Sequence, residues 1–229
     1  MNFEDFKNII SEQRMNRYLL SVNGDTRRAQ TLYRKNLKLS QEIFTIISCF
    51  EVALRNKIDV HYTYLYGSEW LSHFIERGGR FDTSTTRRTQ NIIIFAKNKL
   101  GVTYTHSKLI AELDFGLWRY LFAQPQFVAG GQNLLRIFPS KPRSSASTQY
   151  NHTYIFNELA KINDLRNRIA HHEPICFLSS NAVIDTNYTR QRYNLILQLF
   201  TWMNINSGEL LYGLDHIQNV CNEIDELKN

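Results

Sequence analysis

Apolar residues recur at intervals of three and four along most of the chain, a spacing typical of helices that bury one face. Strand signals are few, because no alternating apolar and polar runs flank an Asn-Gly or Asp-Gly turn. The pattern therefore predicts an all-α fold. The predicted helices cover residues 3–21, 25–35, 39–64, 87–99, 106–122, 151–171, 187–205 and 208–227. We expect Ser40 or Asp25 to cap two of them, and Pro174 to follow another as a stop signal.

One segment has the composition of a linker. Two prolines and four serines lie between Phe138 and Thr148, and such a stretch sustains neither a helix nor a strand. We therefore expect a linker near residues 138–150, between the two halves of the chain that carry the motifs described below. Because 229 residues is within the ordinary size of one domain, we expect a single helical domain over residues 1–229.

The composition is that of an ordinary globular protein, with 43% hydrophobic and 21% charged residues, and it excludes collagen-like and intrinsically disordered chains. The three cysteines, Cys49, Cys176 and Cys221, are odd in number and far apart, so neither a disulfide framework nor a cysteine-built zinc site is expected. The first residues lack a signal-peptide pattern, and no apolar run is long enough to span a membrane. We therefore expect a cytoplasmic protein with no membrane contact.

The charge is unevenly distributed. The chain carries a net charge of +6, yet residues 209–229 contain five acidic residues and one lysine, so residues 1–208 carry about +10. A basic body attracts polyanions in a salt-dependent way, which makes RNA or DNA a candidate partner. Arg87 and Arg88, at the start of a predicted helix, either contact phosphate or form an ordinary solvated helix start.

The helix predicted over residues 151–171 ends in a group of basic residues. Its apolar residues form a stripe that faces the core, and Arg166 lies inside this stripe, about 20° from Ile155 around the helix. An arginine that emerges from an apolar face needs an anion or a cleft as its partner. His171 follows five residues later, about 140° away in a regular helix. A joint site therefore requires either a bend in the helix or two copies that meet across a dimer.

An arginine near a histidine suits the cleavage of RNA by its own 2′-hydroxyl. The imidazole moves protons near neutral pH, and the guanidinium stabilises the charge on the pentavalent phosphate. Such a reaction needs no metal or other cofactor, and the sequence contains no HExxH or paired-carboxylate motif. The alternative is structural: His171 and His172 cap the helix end, and Arg166 forms a buried salt bridge.

The segment that contains these residues resembles a known ribonuclease signature. Arg166 to His171 match the R-N-x3-H form of the Rx4-6H signature of HEPN ribonuclease domains, and Leu165 to Ile175 resemble the hallmark of the Abi-like abortive-infection family, the AbiD/AbiF group. The resemblance covers most of the chain, from about residue 11 to residue 203. Further matching segments, in family order, are Arg14 to Leu19, Gly24 to Asp25, Tyr33 to Asn36, Phe50 to Ile58, Tyr66 to Leu71 and Ala111 to Trp118.

The resemblance implies an all-α, HEPN-like helical bundle with additional helices, usually a homodimer, in which paired motifs form one metal-independent cleft for RNA. It also implies an endoribonuclease of a bacterial abortive-infection or toxin–antitoxin system that acts against phage, restrained in some relatives by an antitoxin RNA or protein. The catalytic residues that carry over are Arg166, Asn167 and His171. We expect the adjacent His172 and Glu173 to support them or to bind RNA. Because the superfamily includes inactive domains, one alternative is a non-catalytic RNA-binding or partner-binding module of the same defence system. A further alternative is a nuclease that acts on DNA.

A second group of candidate residues lies on the helix predicted over residues 39–64. Apolar residues are spread around this helix, so we expect other helices to surround it. Glu51 and Arg55 are four residues apart with the acid first, the favoured order for a helical ion pair, and Asn56 follows them. These three residues either join the arginine–histidine site as supporting or RNA-binding groups, or form a buried network that fixes the register of the helix.

Overall fold

The computed structural model describes residues 1–178 and 181–228. Within these residues the chain forms twelve α-helices and three short 3₁₀ helices, and the one β-feature is an isolated antiparallel bridge between Phe177 and Ile184. The all-α prediction is therefore confirmed. The α-helices are α1 (Phe3–Ile10), α2 (Glu12–Ser21), α3 (Thr26–Tyr66), α4 (Trp70–Ile75), α5 (Arg87–Leu100), α6 (His106–Glu112), α7 (Phe115–Tyr120), α8 (Gln124–Ala129), α9 (His152–Ala170), α10 (Asn187–Trp202), α11 (Ser207–Leu210) and α12 (Ile217–Asp225). The 3₁₀ helices are Gly101–Thr103, Leu134–Ile137 and Glu226–Lys228.

The first predicted helix is divided into α1 and α2. Ser11 separates them: its φ of 87° ends α1, and its hydroxyl accepts a hydrogen bond from the backbone N–H of Arg14 at 3.3 Å as the N-cap of α2. Hydrophobic spacing continues across this point, and a positive φ at a serine leaves no signal in that spacing. The prediction of one continuous helix is therefore wrong at this residue.

The second and third predicted helices form one long helix, α3, because residues 36–38 contain neither glycine nor proline to interrupt it. Asp25 caps its start, since its Oδ1 accepts hydrogen bonds from the backbone N–H groups of Arg27 at 2.9 Å and Arg28 at 3.0 Å. The cap predicted at Asp25 is confirmed. Ser40 lies inside α3, so the cap predicted there is wrong.

Other helix boundaries were predicted with mixed success. The helix predicted over residues 106–122 is interrupted by Asp114, whose Oδ1 accepts from the backbone N–H of Leu117 at 2.9 Å and starts α7. The last predicted helix is divided into α11 and α12. Helices α4 and α8 were not predicted, because six residues make fewer than two turns and show no periodicity. By contrast, α5, α9 and α10 lie within three residues of their predicted bounds.

The chain divides into two compact units. Unit 1 comprises residues 1–48, 164–198 and 207–229, and unit 2 comprises residues 49–163 and 199–206. The predicted linker near residues 138–150 lies inside unit 2, so the divisions fall elsewhere in the chain. A single domain over residues 1–229 stays a prediction.

Aromatic rings form part of the core of unit 1. Tyr18 on α2 is buried, and its ring lies 5.3 Å from that of Tyr33 on α3 and 5.1 Å from that of Phe177, measured between centroids. Burial raises the pKa of the Tyr18 hydroxyl. Burial also raises the pKa of the Cys176 thiol to about 12, although the positive charges of Arg17 and Arg168 act in the opposite direction.

The core of unit 2 is also aromatic. The ring of Trp70 on α4 lies 4.7 Å from that of Tyr62 and 5.3 Å from that of Phe74, and Phe74 in turn packs edge-on against Phe81 at 5.1 Å. All four side chains are buried. Aromatic pairs at these separations stabilise a core beyond the free energy of area burial alone. We conclude that this cluster fixes the second half of α3 against α4 within unit 2.

A polar cluster borders this aromatic core in unit 2. One carboxylate oxygen of Asp59, Oδ1, accepts a hydrogen bond from Nε1 of the buried Trp70 at 2.8 Å and lies 2.8 Å from Nε2 of His106. Beside Trp70, the hydroxyl of Tyr104 donates to Glu69 and lies 2.7 Å from the hydroxyl of Ser72. No sequence motif predicted this cluster, because its members are separated by up to 47 residues.

Among the helices of residues 1–178 and 181–228, none combines the length and the apolar character that crossing a membrane would require.

Candidate functional site

The end of α9 has a regular Schellman geometry. The backbone N–H of His172 donates to the carbonyl of Ile169 at 2.9 Å, and that of Glu173 donates to the carbonyl of Arg168 at 2.8 Å. These are the two hydrogen bonds of the Schellman motif, in which the residue that leaves the helix adopts a positive φ. That residue is His172, with φ of 56°. A histidine therefore occupies a position where glycine is the usual residue.

Two arginines hold this turn in place. Nη1 of Arg14, on α2, donates to the backbone carbonyl of His172 at 2.8 Å. From α9, Arg168 donates through Nε to the carboxylate of Glu173 at 3.2 Å and through Nη2 to the carbonyl of Pro174 at 2.6 Å. The carbonyls of His172 and Pro174 follow the last turn of α9, and hydrogen bonds to them from charged guanidinium groups are stronger than those from neutral donors. The turn is thus fixed by groups other than the two histidines.

The residues that follow the turn are anchored in the core of unit 1. The backbone N–H of Ile175, which is fully buried, donates to Oδ1 of Asn36 on α3 at 2.9 Å. The carbonyl of Ile175 accepts from the hydroxyl of Thr189 on α10 at 2.8 Å. The backbone N–H and C=O of the buried Ile175 are therefore both hydrogen-bonded to side chains, which fixes the chain immediately after the candidate site.

Replacing Asn36 by alanine is expected to lower the free energy of unfolding by about 1–3 kcal/mol, because the buried N–H of Ile175 would lose its acceptor. Chemical denaturation of the purified protein measures this loss. Gln41→Ala, an exposed change on the same helix, is the control and should stay within about 0.5 kcal/mol of the wild type. Equal stability of the two variants would show that the Asn36 hydrogen bond contributes nothing.

The predicted site residues at the end of α9 do not all face the same way. Asn167 and His171 lie one turn apart on one face, where the backbone N–H of His171 donates to the carbonyl of Asn167 at 2.9 Å, and both side chains are exposed. Arg166 is half-buried. Since the i to i−4 hydrogen bond persists as far as His171, Arg166 and His171 leave the helix about 140° apart. The helix therefore does not bend before His171, which was one of the two arrangements predicted. The other arrangement, a site formed by two copies across a dimer, stays a prediction.

The imidazole groups of His171 and His172 are both exposed. Neither imidazole makes a hydrogen bond or an ion pair with any residue of the ranges 1–178 and 181–228; the contacts of these two residues are made by their backbone groups, including the carbonyl of His172 that accepts from Arg14. Side-chain capping of the helix by these histidines is therefore not the arrangement found. The ring of His171 is open to a ligand.

A surface cavity of about 210 Å³ lies beside the turn in unit 1. Its lining combines amide, hydroxyl, imidazole, carboxylate, aromatic and aliphatic groups, contributed by Asn36, Leu37, Ser40, Gln41, Phe44, Ile169, His172 and Glu173. Phe44 is 42% exposed although it is aromatic. An exposed ring among hydrogen-bonding groups can hold a flat polar group such as a nucleobase.

The second group of predicted residues lies on the part of α3 that belongs to unit 2. Glu51 and Arg55 are half-buried and Asn56 is exposed. Nε of Arg55 is buried and has no hydrogen-bond partner among the residues that the structure describes. A role of Glu51, Arg55 and Asn56 beside the end of α9, or as a network that sets helix register, stays a prediction.

Sequence reasoning missed the residues that hold the turn. Arg14 and Asn36 lie in segments whose resemblance to the Abi-like family is described above, yet nothing in their local sequence indicates that they contact residues 172 and 175. Arg168 is a basic residue in the last turn of α9, but its hydrogen bonds go to Glu173 and Pro174 beyond the helix, which the helix-end pattern does not predict. In residues 1–178 and 181–228, no three His, Cys, Asp or Glu side chains are grouped closely enough to ligate a metal ion.

Comparisons of the chain with family models, with curated proteins and with solved structures found no match. The similarity to the Abi-like family therefore rests on the motifs quoted from the sequence.

Proposed function

We propose that this protein is a metal-independent HEPN-type endoribonuclease of the Abi-like kind. The observation that carries the proposal is the state of His171: its imidazole is exposed and unengaged by the described residues, while the backbone that carries it is fixed by Arg14 and Arg168. A group that is held in position without serving the fold is what proton transfer requires. The R-N-x3-H spacing, which resembles the HEPN signature, supports the same role.

The proposed reaction uses the substrate's own nucleophile. The 2′-oxygen of a ribose forms a bond to the adjacent phosphorus, the bond from phosphorus to the 5′-oxygen breaks, and the products carry a 2′,3′-cyclic phosphate and a 5′-hydroxyl. His171 accepts the proton of the 2′-hydroxyl or donates one to the leaving 5′-oxygen. Arg166 stabilises the charge on the phosphate. Asn167, one helical turn from His171, positions the substrate.

The remaining candidate residues have supporting roles in this proposal. His172 and Glu173 border the cavity beside the turn, where Phe44 and Gln41 offer an aromatic ring and an amide to a base. Glu51, Arg55 and Asn56 add contacts to phosphate or orient the catalytic groups. Since the chemistry needs only protein side chains and the 2′-hydroxyl, no cofactor is included.

The angle between Arg166 and His171 supports a homodimer. A single helix directs these side chains about 140° apart, so a cleft that uses both is more readily built from the motifs of two copies. In this proposal the protein acts in the cytoplasm of a bacterium as part of an abortive-infection or toxin–antitoxin defence against phage. An antitoxin RNA or protein would restrain it.

The alternative is a non-catalytic RNA-binding or partner-binding module of the same defence system. The same angle favours this alternative if the chain is a monomer, because Arg166 and His171 could then not act together on one phosphate. In such a module the exposed Asn167 and His171 would contact RNA or a partner protein without chemistry.

Incubation of the purified protein with mixed RNA in EDTA tests the proposal. We expect cuts whose products end in a 2′,3′-cyclic phosphate and a 5′-hydroxyl, and no cuts in the same strands made of DNA, which lacks the attacking group. Cleavage that requires a divalent metal, or that proceeds on DNA, would contradict the mechanism. RNA binding without cleavage under these conditions would favour the non-catalytic module.

A further inference from the structure

An exposed stripe on α5 in unit 2 combines aromatic, aliphatic and basic side chains. Arg88, Ile92, Phe95 and Lys99 follow one another at intervals of four, three and four residues, which places them on one face of the helix. Phe95 is 74% exposed and Ile92 is 44% exposed. Ile92 and Phe95 are neighbours on this face, and a contiguous exposed apolar patch rimmed by polar residues is typical of an interaction surface. We call these four residues, with Asn91 beside them, the α5 face.

The opposite side of α5 is firmly packed, so the exposure of the α5 face does not come from a loosely attached helix. Thr89, Gln90, Ile93 and Ala96 are buried. Nε2 of Gln90 donates to the carbonyl of Ile75 at 2.8 Å, and the hydroxyl of Thr89 accepts from Nε2 of Gln126 at 2.9 Å. The α5 face is therefore a rigid surface.

The charge of this helix has one sign. It contains Arg87, Arg88, Lys97 and Lys99 and no acidic residue. Arg87 pairs with Asp82 at 3.2 Å and Lys99 pairs with Glu112, so both are partly neutralised. Arg88 is exposed and makes no hydrogen bond or ion pair within residues 1–178 and 181–228. Its charge is available to an anion.

Two surface depressions meet at Arg88 and Ile92. The larger one, of about 630 Å³, is an open depression lined by Ser84, Arg87, Arg88, Asn91, Ile92 and Phe95. The smaller one, of about 170 Å³, adds Tyr120 of α7, whose side chain is 43% exposed. Its one acidic residue, Asp114, already accepts the N-cap hydrogen bond of α7. Two exposed aromatic rings thus flank one unpaired arginine.

We propose that the α5 face binds single-stranded RNA. Phe95 and Tyr120 offer flat surfaces on which unpaired bases stack, Arg88 contacts a phosphate, and Asn91 and Ser84 offer hydrogen bonds to the same strand. Stacking on exposed aromatic rings within a basic groove is how proteins hold single strands without sequence preference. A duplex keeps its bases stacked on one another and would leave Phe95 without a partner. The proposal deepens the ribonuclease function and rests on it only in taking RNA as the ligand.

The test is the binding of a short fluorescein-labelled oligouridine that carries 2′-O-methyl groups, so that no 2′-hydroxyl can attack and cleavage cannot interfere. Fluorescence anisotropy should show that Phe95→Ala weakens binding by about 5- to 150-fold, which corresponds to the loss of one stacked base. Arg88→Gln should weaken binding several-fold and reduce its dependence on salt by about one ion. A duplex of the same length should bind wild type and Phe95→Ala alike.

Matched changes elsewhere in unit 2 serve as controls. Tyr64, whose side chain is 87% exposed, and the exposed Arg143 are an aromatic and a basic residue that line neither of the two depressions. Tyr64→Ala and Arg143→Gln should therefore bind RNA as the wild type does. Because Phe95 is exposed, its replacement should leave the thermal unfolding of the protein nearly unchanged. Unchanged RNA binding in Phe95→Ala would overturn the proposal.

Three further results separate this proposal from a protein interface on the α5 face and from the proposed ribonuclease function. If light scattering shows that Phe95→Ala changes the subunit number while RNA binding persists, the α5 face is a protein interface and the proposal is overturned. If the wild type binds the probe through Phe95 but cleaves no RNA, the α5 proposal stands and the ribonuclease function fails. If Phe95→Ala changes neither the cleavage of mixed RNA nor the binding of the probe, the ribonuclease function stands and the α5 proposal is overturned.

Discussion

His171→Ala is expected to lower the rate of RNA cleavage by a factor of about 10²–10⁴, the usual effect of losing a general acid or base. The fold should survive, because the imidazole is exposed and the turn is held by Arg14 and Arg168 instead. The rate is measured in EDTA by the release of 5′-hydroxyl ends. Thermal unfolding of the variant, measured alongside, should coincide with that of the wild type.

Two histidine variants sharpen this result. His73→Ala removes an exposed imidazole from α4 in unit 2 and should cleave at the wild-type rate. His172→Gly removes the neighbouring imidazole but keeps the positive φ of the turn, and should lose much less activity than His171→Ala. Equal rates for His171→Ala and the wild type would remove His171 from the mechanism. A larger loss in His172→Gly would transfer the proton-transfer role to His172.

Asp59→Ala is expected to lower the free energy of unfolding by about 3 kcal/mol. Oδ1 of Asp59 accepts from the buried Nε1 of Trp70, so its removal leaves a buried donor without a partner and also releases His106. Trp70 lies in the aromatic cluster that joins α3 to α4 within unit 2, so the loss falls within the aromatic core of that unit. Denaturation by guanidinium chloride, followed by tryptophan fluorescence, measures the change.

The conservative variant Asp59→Asn separates the hydrogen bond from the charge. It keeps an oxygen in place of Oδ1 and should retain most of the stability, since Trp70 can still donate to it. Glu76→Ala, which removes an exposed acid at the end of α4, should have little effect. If Asp59→Ala were as stable as Glu76→Ala, the cluster around Trp70 would not depend on Asp59.

The helices that sequence spacing predicted best are those with a long, regular apolar stripe. In α9, Leu159, Ile162 and Leu165 are fully buried, and the helix ends one residue from its predicted end. Spacing failed where one backbone angle decides the outcome, as at Ser11, whose positive φ separates α1 from α2. The helix start at Asp114 was not predicted either. Asp114 starts α7 by accepting a local hydrogen bond, within a stretch whose hydrophobic spacing is continuously helical.

The candidate site was predicted in part. The sequence located Asn167 and His171 at a helix end, because their spacing and the helix stop are local properties. The groups that hold this helix end in place could not be predicted from the sequence, because Arg14 contacts His172 across 158 residues and Asn36 contacts Ile175 across 139. Such pairs are set by how helices pack, which hydrophobic spacing does not encode. The sequence indicated Arg87 and Arg88 as a basic pair, whereas the exposure of Phe95 and Tyr120 is visible only in the folded chain.

The positive φ of His172 has a consequence for anyone who redesigns this protein for heat tolerance. A residue with a β-carbon pays roughly 1–2 kcal/mol to adopt this conformation, and glycine adopts it without that penalty. A search guided by stability alone would therefore choose glycine at position 172 and delete an exposed imidazole beside the candidate catalytic group. If the proposed function holds, this substitution would remove a supporting group, so a stabilised version of the chain is best built from substitutions elsewhere.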